Sequence, residues 1–202
     1  ALCVALTTRD GVRLRAMRAG GHGRRGTVVL IGGRGDFMER YFETMRELIA
    51  MGFTVASVDL RGQGGSQRLT SNPYRGPVRS FSHYEADIET LMTGLVLPQC
   101  PPPYFAVGHS TGGNVMLRVI RKHRWFEKAI VCSPLLGLLY GGWPRPLAAT
   151  PGFAANSLGL GWLFLPGQMR QPMGRADFER NPLPADRWRW HRDSGILEDA
   201  PQ

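Results

Sequence analysis

The residues best equipped for chemistry are Gly108-His109-Ser110-Thr111-Gly112. A serine becomes a nucleophile when a base removes its proton and nearby donors hold the charge that develops on the attacked carbonyl. The pattern G-x-S-x-G serves that chemistry when it lies on a sharp turn from strand to helix, a nucleophile elbow. The context here fits. An apolar run, Tyr104-Phe105-Ala106-Val107, precedes the turn, and an amphipathic stretch from Asn114 to His123 follows it. Such a turn lifts the Ser110 hydroxyl above the sheet and leaves the Thr111 N–H facing a nascent oxyanion. The same residues also admit a glycine-rich βα turn with an ordinary solvent-facing serine; the flanking strand and helix favour the elbow.

Other candidate chemistry is thinner. The three cysteines, Cys3, Cys100 and Cys132, are scattered and odd in number, which argues against a disulfide framework or a zinc site. Cys132 lies in an apolar run and reads as a small core residue. The histidines are His22, His83, His109, His123 and His191. His22 falls in a loop, His83 in the first turn of a helix, and His123 at a helix C-terminus, where the dipole favours it. His109, inside the elbow, is expected to point away from the serine hydroxyl. His191 lies near Asp186 and Asp193 but far along the chain. Asp59 reads as a loop-holding carboxylate, and Asp87 as a helix-surface or buttressing one.

The elements that must position Ser110 can be read from hydrophobic periodicity. Residues 3–18 alternate around Asp10-Gly11, as a hairpin does. Thr27–Ile31 and Phe53–Val58 are β-branched runs of the kind buried in parallel sheets. Between them, Asp36 and Glu39 have the spacing of a capping box. Met38, Tyr41, Phe42, Met45, Leu48 and Ile49 keep helical spacing up to Gly52. Ser82 and Glu85 form a second box, before a helix whose face carries Tyr84, Ile88, Leu91, Met92 and Leu95. Ala129–Cys132 reads as a further buried strand. A hairpin followed by β-α-β-α-β-α-β predicts an α/β fold with a mainly parallel sheet. Its ligand would bind beyond the carboxyl ends of the strands, where the glycine loops and Ser110 fall.

From Leu138 the texture changes. Trp143, Trp162, Trp188, Trp190 and eight prolines replace the strand–helix rhythm. This segment is expected to be a cap over the site. Phe153, Leu158, Leu160, Trp162, Leu163, Phe164 and Leu165 could line an acyl-chain pocket, or simply pack the cap onto the core.

The composition narrows the partners. Of 25 basic residues 23 are Arg, only Lys122 and Lys128 are Lys, and the net charge is +9. The basic residues are dispersed and match no nucleic-acid motif, so no nucleic-acid partner is expected; contact with an anionic membrane surface remains open. No run approaches the roughly 20 apolar residues of a membrane span. Residues 1–20 lack a signal-peptide layout. A cytoplasmic location, with peripheral membrane contact as a variant, is the expectation.

Taken together, three motifs resemble those of the α/β-hydrolases, specifically the bacterial lysophospholipase and monoacylglycerol-lipase-like branch. They are Gly32-Gly33-Arg34-Gly35-Asp36-Phe37-Met38-Glu39-Arg40-Tyr41, the loop Asp59-Leu60-Arg61-Gly62-Gln63-Gly64-Gly65-Ser66-Gln67-Arg68, and the elbow itself. The second is the most branch-specific. Gly32 stands where relatives commonly carry His. The resemblance implies Ser110 as nucleophile and the backbone N–H groups of Arg34 and Thr111 as the oxyanion hole. It implies no metal or organic cofactor and a lipid or other ester as substrate. It divides the chain into a core over 1–137 and a cap over 138–202. The acid and histidine of the triad are expected after two further core strands, which the residues up to Gln202 do not supply. The chain therefore reads as the first two-thirds of a serine hydrolase. A truncated or degenerate, non-catalytic protein that binds lipid or a partner is the alternative, and a peptidase or acyltransferase on the same fold is a further one.

Overall fold

The computed structural model describes residues 1–21, 24–71, 78, 80–137 and 186–199. Six strands form one sheet in the order β1-β2-β4-β3-β5-β6. Strands β1 (Leu2–Thr7) and β2 (Arg13–Ala19) make the expected antiparallel hairpin, and β2 also pairs antiparallel with β4 (Thr54–Val58). From there β4, β3 (Thr27–Ile31), β5 (Tyr104–His109) and β6 (Phe126–Cys132) run parallel.

All five residues of β3 and all five of β4 are buried, as their continuous apolar runs require. Side chains alternate between two cores. Val29, Ile31, Ala56 and Val58 face α2 (Phe81–Leu91) and α4 (Thr111–Lys122), where Ile88, Leu91, Val115 and Val119 meet them. Leu30 and Val55 face the opposite way, onto Met38 and Met45. Met45 belongs to α1 (Phe42–Ala50). Helices thus cover both faces of a mainly parallel sheet. Past α2 the chain widens into a π turn at Met92–Val96, and a short α3 (Leu97–Gln99) closes it. The last described element, α5 (Arg187–Asp199), reaches α1 through Arg189, which donates to Glu43 at 3.2 Å.

Three local expectations fail for identifiable reasons. The Asp36/Glu39 box does not form: a 3₁₀ turn at Met38–Tyr41 precedes α1, and its N-cap, Phe37, has no side-chain cap. The Asp36 carboxylate is taken by Gly33 N–H and Tyr41 OH, and Glu39 by Arg15. The Ser82/Glu85 box fails likewise. Ser80 is the cap, accepting the Ser82 N–H at 3.2 Å, and Glu85 is drawn to Arg118 and Lys122 on α4. Finally, β6 is longer than expected and mostly exposed, Ile130 to 64%, because it is the last strand in the order. Cys132 is accordingly exposed, not a core residue.

Candidate active site

The strand order itself creates the site. From β3 the chain moves to β4 on one side and then crosses back to β5 on the other, so the loops after β3 and β5 lie where the strand order reverses, the place where open α/β sheets bind their ligands. Ser110 directly follows β5 and is the N-cap of α4, with φ 51° and ψ −116°. A positive φ at a non-glycine residue is strained by about 1–3 kcal/mol and persists only where its surroundings over-determine it. They do so here. Ser110 N–H donates to the Cys132 carbonyl at 2.9 Å. The Ser110 carbonyl accepts from Leu135 N–H at 3.0 Å and Asn114 N–H at 3.2 Å. The Asn114 side chain then donates to the Leu135 carbonyl at 2.8 Å. The two glycines of the motif are steric necessities. A methyl at Gly108 would lie 2.8 Å from Gly113 Cα, and one at Gly112 would lie 2.4 Å from the Gly32 carbonyl oxygen.

The loop after β3 abuts this turn. A methyl at Gly33 would approach Ser110 Cβ to 3.1 Å and His109 Nδ1 to 3.4 Å. Arg34 follows on the same loop with an exposed side chain, and Thr111 opens α4 as a buried residue. Asp36 organises the loop. Its Oδ2 accepts Gly33 N–H at 2.7 Å and Tyr41 OH at 2.6 Å, and its Oδ1 pairs with Arg40. His109 Nδ1 lies 3.0 Å from Tyr41 Oη and 3.5 Å from Asp36 Oδ2. Burial alone would raise the Asp36 carboxyl, but His109, Arg40, Tyr41 and the Gly33 N–H together hold it down at about 2. Burial, and then the Asp36 charge, push the Tyr41 phenol up, so it stays a donor.

The branch-specific loop forms the wall behind. Asp59 accepts from Gly65 N–H at 2.8 Å, Met38 N–H at 2.9 Å and Arg15 Nε at 2.6 Å. It is the loop-holding carboxylate the sequence suggested, and burial raises its pKa despite Arg15. Asp87 is a buttress and not a helix-surface residue: it is fully buried and accepts the Arg61 N–H and Nε, each at 2.9 Å. Gln63 Oε1 accepts the Gly35 N–H, linking this wall to the loop beside Ser110.

Among the described histidines none hydrogen-bonds the Ser110 hydroxyl. His109 is engaged with Tyr41 and Asp36, and His123 lies 3.0 Å from Glu89 and stacks on Trp125. His83 sits in the first turn of α2, and His191 lies exposed on α5 against Trp190. His22 and the expected acyl-pocket residues from Phe153 to Leu165 lie outside the described residues. Periodicity did not reveal the Asp36–Tyr41–His109 cluster or the Gln63–Gly35 contact. The one available signal was the five-residue spacing of Asp36 and Tyr41.

Comparison with known proteins bears on the family and the fold. The sequence profile of a family described as "Serine aminopeptidase, S33" matches residues 22–191. Lysophospholipase L2 of Escherichia coli (strain K12) is 32% identical over 129 residues, covering 63% of this chain and 37% of that protein. Phospholipase YtpA of Bacillus subtilis (strain 168) is 30% identical over 113 residues, covering 55% and 41%. The chain thus spans less than half the length of these curated relatives. Among solved structures, an esterase from Exiguobacterium antarcticum superposes with a TM-score of 0.57 at 18% identity, over 71% of this chain and 50% of that one. That likeness concerns the fold.

Proposed function

The chain belongs to the serine aminopeptidase S33 family, an α/β-hydrolase family, and from that premise we propose that it carries the nucleophile of a serine hydrolase acting on lipid carboxylic esters, lysophospholipids or monoacylglycerols. The observation that carries the reading is Ser110, held at φ 51° against the Gly33 backbone. The Ser110 hydroxyl attacks the acyl carbonyl and yields its proton to a base. The backbone N–H groups of Arg34 and Thr111 receive the oxyanion. Collapse expels the glycerophosphodiester of a lysophospholipid, or glycerol, whose oxygen takes the proton back from the base, and leaves an acyl-enzyme, which water then hydrolyses. The base is a histidine oriented by a carboxylate, and no described residue fills that place at Ser110. The domain reading is a core over 1–137 and a cap over 138–202. The lipid substrate is supported by the two relatives named as a lysophospholipase and a phospholipase.

Among the described residues no helix is long and apolar enough to cross a membrane. The three cysteines are free, which suits a reducing, cytoplasmic setting, and the +9 charge suits peripheral contact with anionic lipid.

The test is hydrolysis by the complete gene product of lysophosphatidylcholine, a monoacylglycerol and an aminoacyl p-nitroanilide. The lipid esters should turn over and the anilide should not, and Ser110→Ala should lower kcat by about 10⁴–10⁶. Preferred cleavage of the anilide would make the protein a peptidase. No turnover of any of the three would favour a non-catalytic binding protein.

A further inference from the structure

Two side chains outside the elbow converge on the loop beside Ser110. Asp36 Oδ2 accepts the Gly33 N–H at 2.7 Å, and Gln63 Oε1, from the loop after β4, accepts the Gly35 N–H. Arg34 lies between these two anchored amides. Asp36 is held in turn by Tyr41 and Arg40. Gln63 is buried, 6% exposed, and its Nε2 has no hydrogen-bond partner among the described residues. A buried donor left unpaired is destabilising, a penalty that an apolar side chain of the same length would avoid. What the amide contributes is therefore carried by its oxygen, and that oxygen meets the Gly35 N–H. The loop it holds is irregular, with Gly35 exposed and at φ 75°.

We propose that Gln63 and Asp36 are positioning residues, clamps on either side of Arg34 that aim its backbone N–H at the oxygen of the carbonyl attacked by Ser110. This rests on the reading of Ser110 as nucleophile and adds what makes its oxyanion loop rigid. A donor fixed before reaction needs no reorganisation when charge develops. A displacement of about 1 Å at such a site can cost about 10²-fold in rate. The clamps act on the transition state more than on bound substrate, so their loss falls on kcat and not on KM. They also give the Gln of the Asp59–Arg68 motif a role: it couples that loop to the oxyanion loop.

Gln63→Met keeps length and bulk without the acceptor, and Gln63→Glu keeps an acceptor oxygen. In the complete gene product, Gln63→Met should lower kcat for a p-nitrophenyl ester about 10–100-fold with KM within about threefold, and Gln63→Glu should recover most of the loss. Asp36→Ala should behave like Gln63→Met. An unchanged kcat in Gln63→Met, or a rise in KM alone, overturns the proposal. A second measurement needs no turnover. By NMR, Gly35 amide exchange should be slow in wild type and Gln63→Glu and at least about tenfold faster in Gln63→Met, with β3 and β5 amides unchanged. Equal Gly35 exchange in all three overturns the clamp. A wild type inert toward esters in which the Gly35 effect persists supports the clamp and counts against the nucleophile reading.

Discussion

Ser110 shows how a reactive residue is made from backbone geometry. Its positive φ, the latch to Cys132 and Leu135, and the glycines at 108 and 112 all serve one placement. Asp36 serves another, and its charge state has a measurable consequence. Its carboxyl titrates at about 2 in the folded protein and near 3.8 when unfolded. A depressed folded value contributes stability above the unfolded one, lost as pH falls through the folded one. Asp36→Asn should therefore cost roughly 2 kcal/mol at pH 7, with the difference from wild type shrinking below about pH 4 and lost only as pH falls below about 2. Chemical denaturation at several pH values measures it, and a pH-independent difference would refute the charge argument. At this scale the strand–turn–helix spacing marked Ser110 and Thr111 as candidates, and Arg34 entered only through the family resemblance of its loop. It did not reveal Asp36, since a carboxylate three residues before a glutamate looks the same whether it caps a helix or pins a loop. Tertiary partners decided that.

Among the elements, the loop after β4 is held from beneath. Arg61 is 2% exposed and joins Asp87 on α2 to Asp10 in the β1–β2 hairpin. Breaking a buried pair leaves an uncompensated charge, so Asp87→Ala should cost about 3 kcal/mol or more in urea unfolding. The double variant Arg61→Met/Asp87→Leu should recover much of that. A loss under about 0.5 kcal/mol for Asp87→Ala would show that Asp10 alone suffices. The order of elements was legible because β3, β4 and the faces of α1 and α2 carry clear periods. The helix starts were not, since both expected boxes lost their glutamates to arginine or lysine on neighbouring elements.

At the scale of the molecule, β6 pairs on one side only among the described residues, and exposed apolar side chains lie on it and just after it, Ile130 at 64% and Leu136 at 74%. An unpaired edge of this kind favours strand addition between chains. Residues 1–202 should associate in a concentration-dependent way on size-exclusion chromatography with light scattering, and Ile130→Lys should shift them toward monomer. A monodisperse wild type at high concentration would mean that this edge is covered. An apolar run reports strand character but not the strand's place in a sheet, so Ala129–Cys132 reads as a buried strand of the whole fold, while among the described residues it stands last in the strand order, the edge that the expected further strands imply. The central claim, that Ser110 is the nucleophile, is tested most directly by treating the complete gene product with a fluorophosphonate and mapping the adduct by mass spectrometry. A single adduct on Ser110, lost in Ser110→Ala, is the predicted result. An adduct on another residue, or equal labelling of the Ser110→Ala protein, would contradict it.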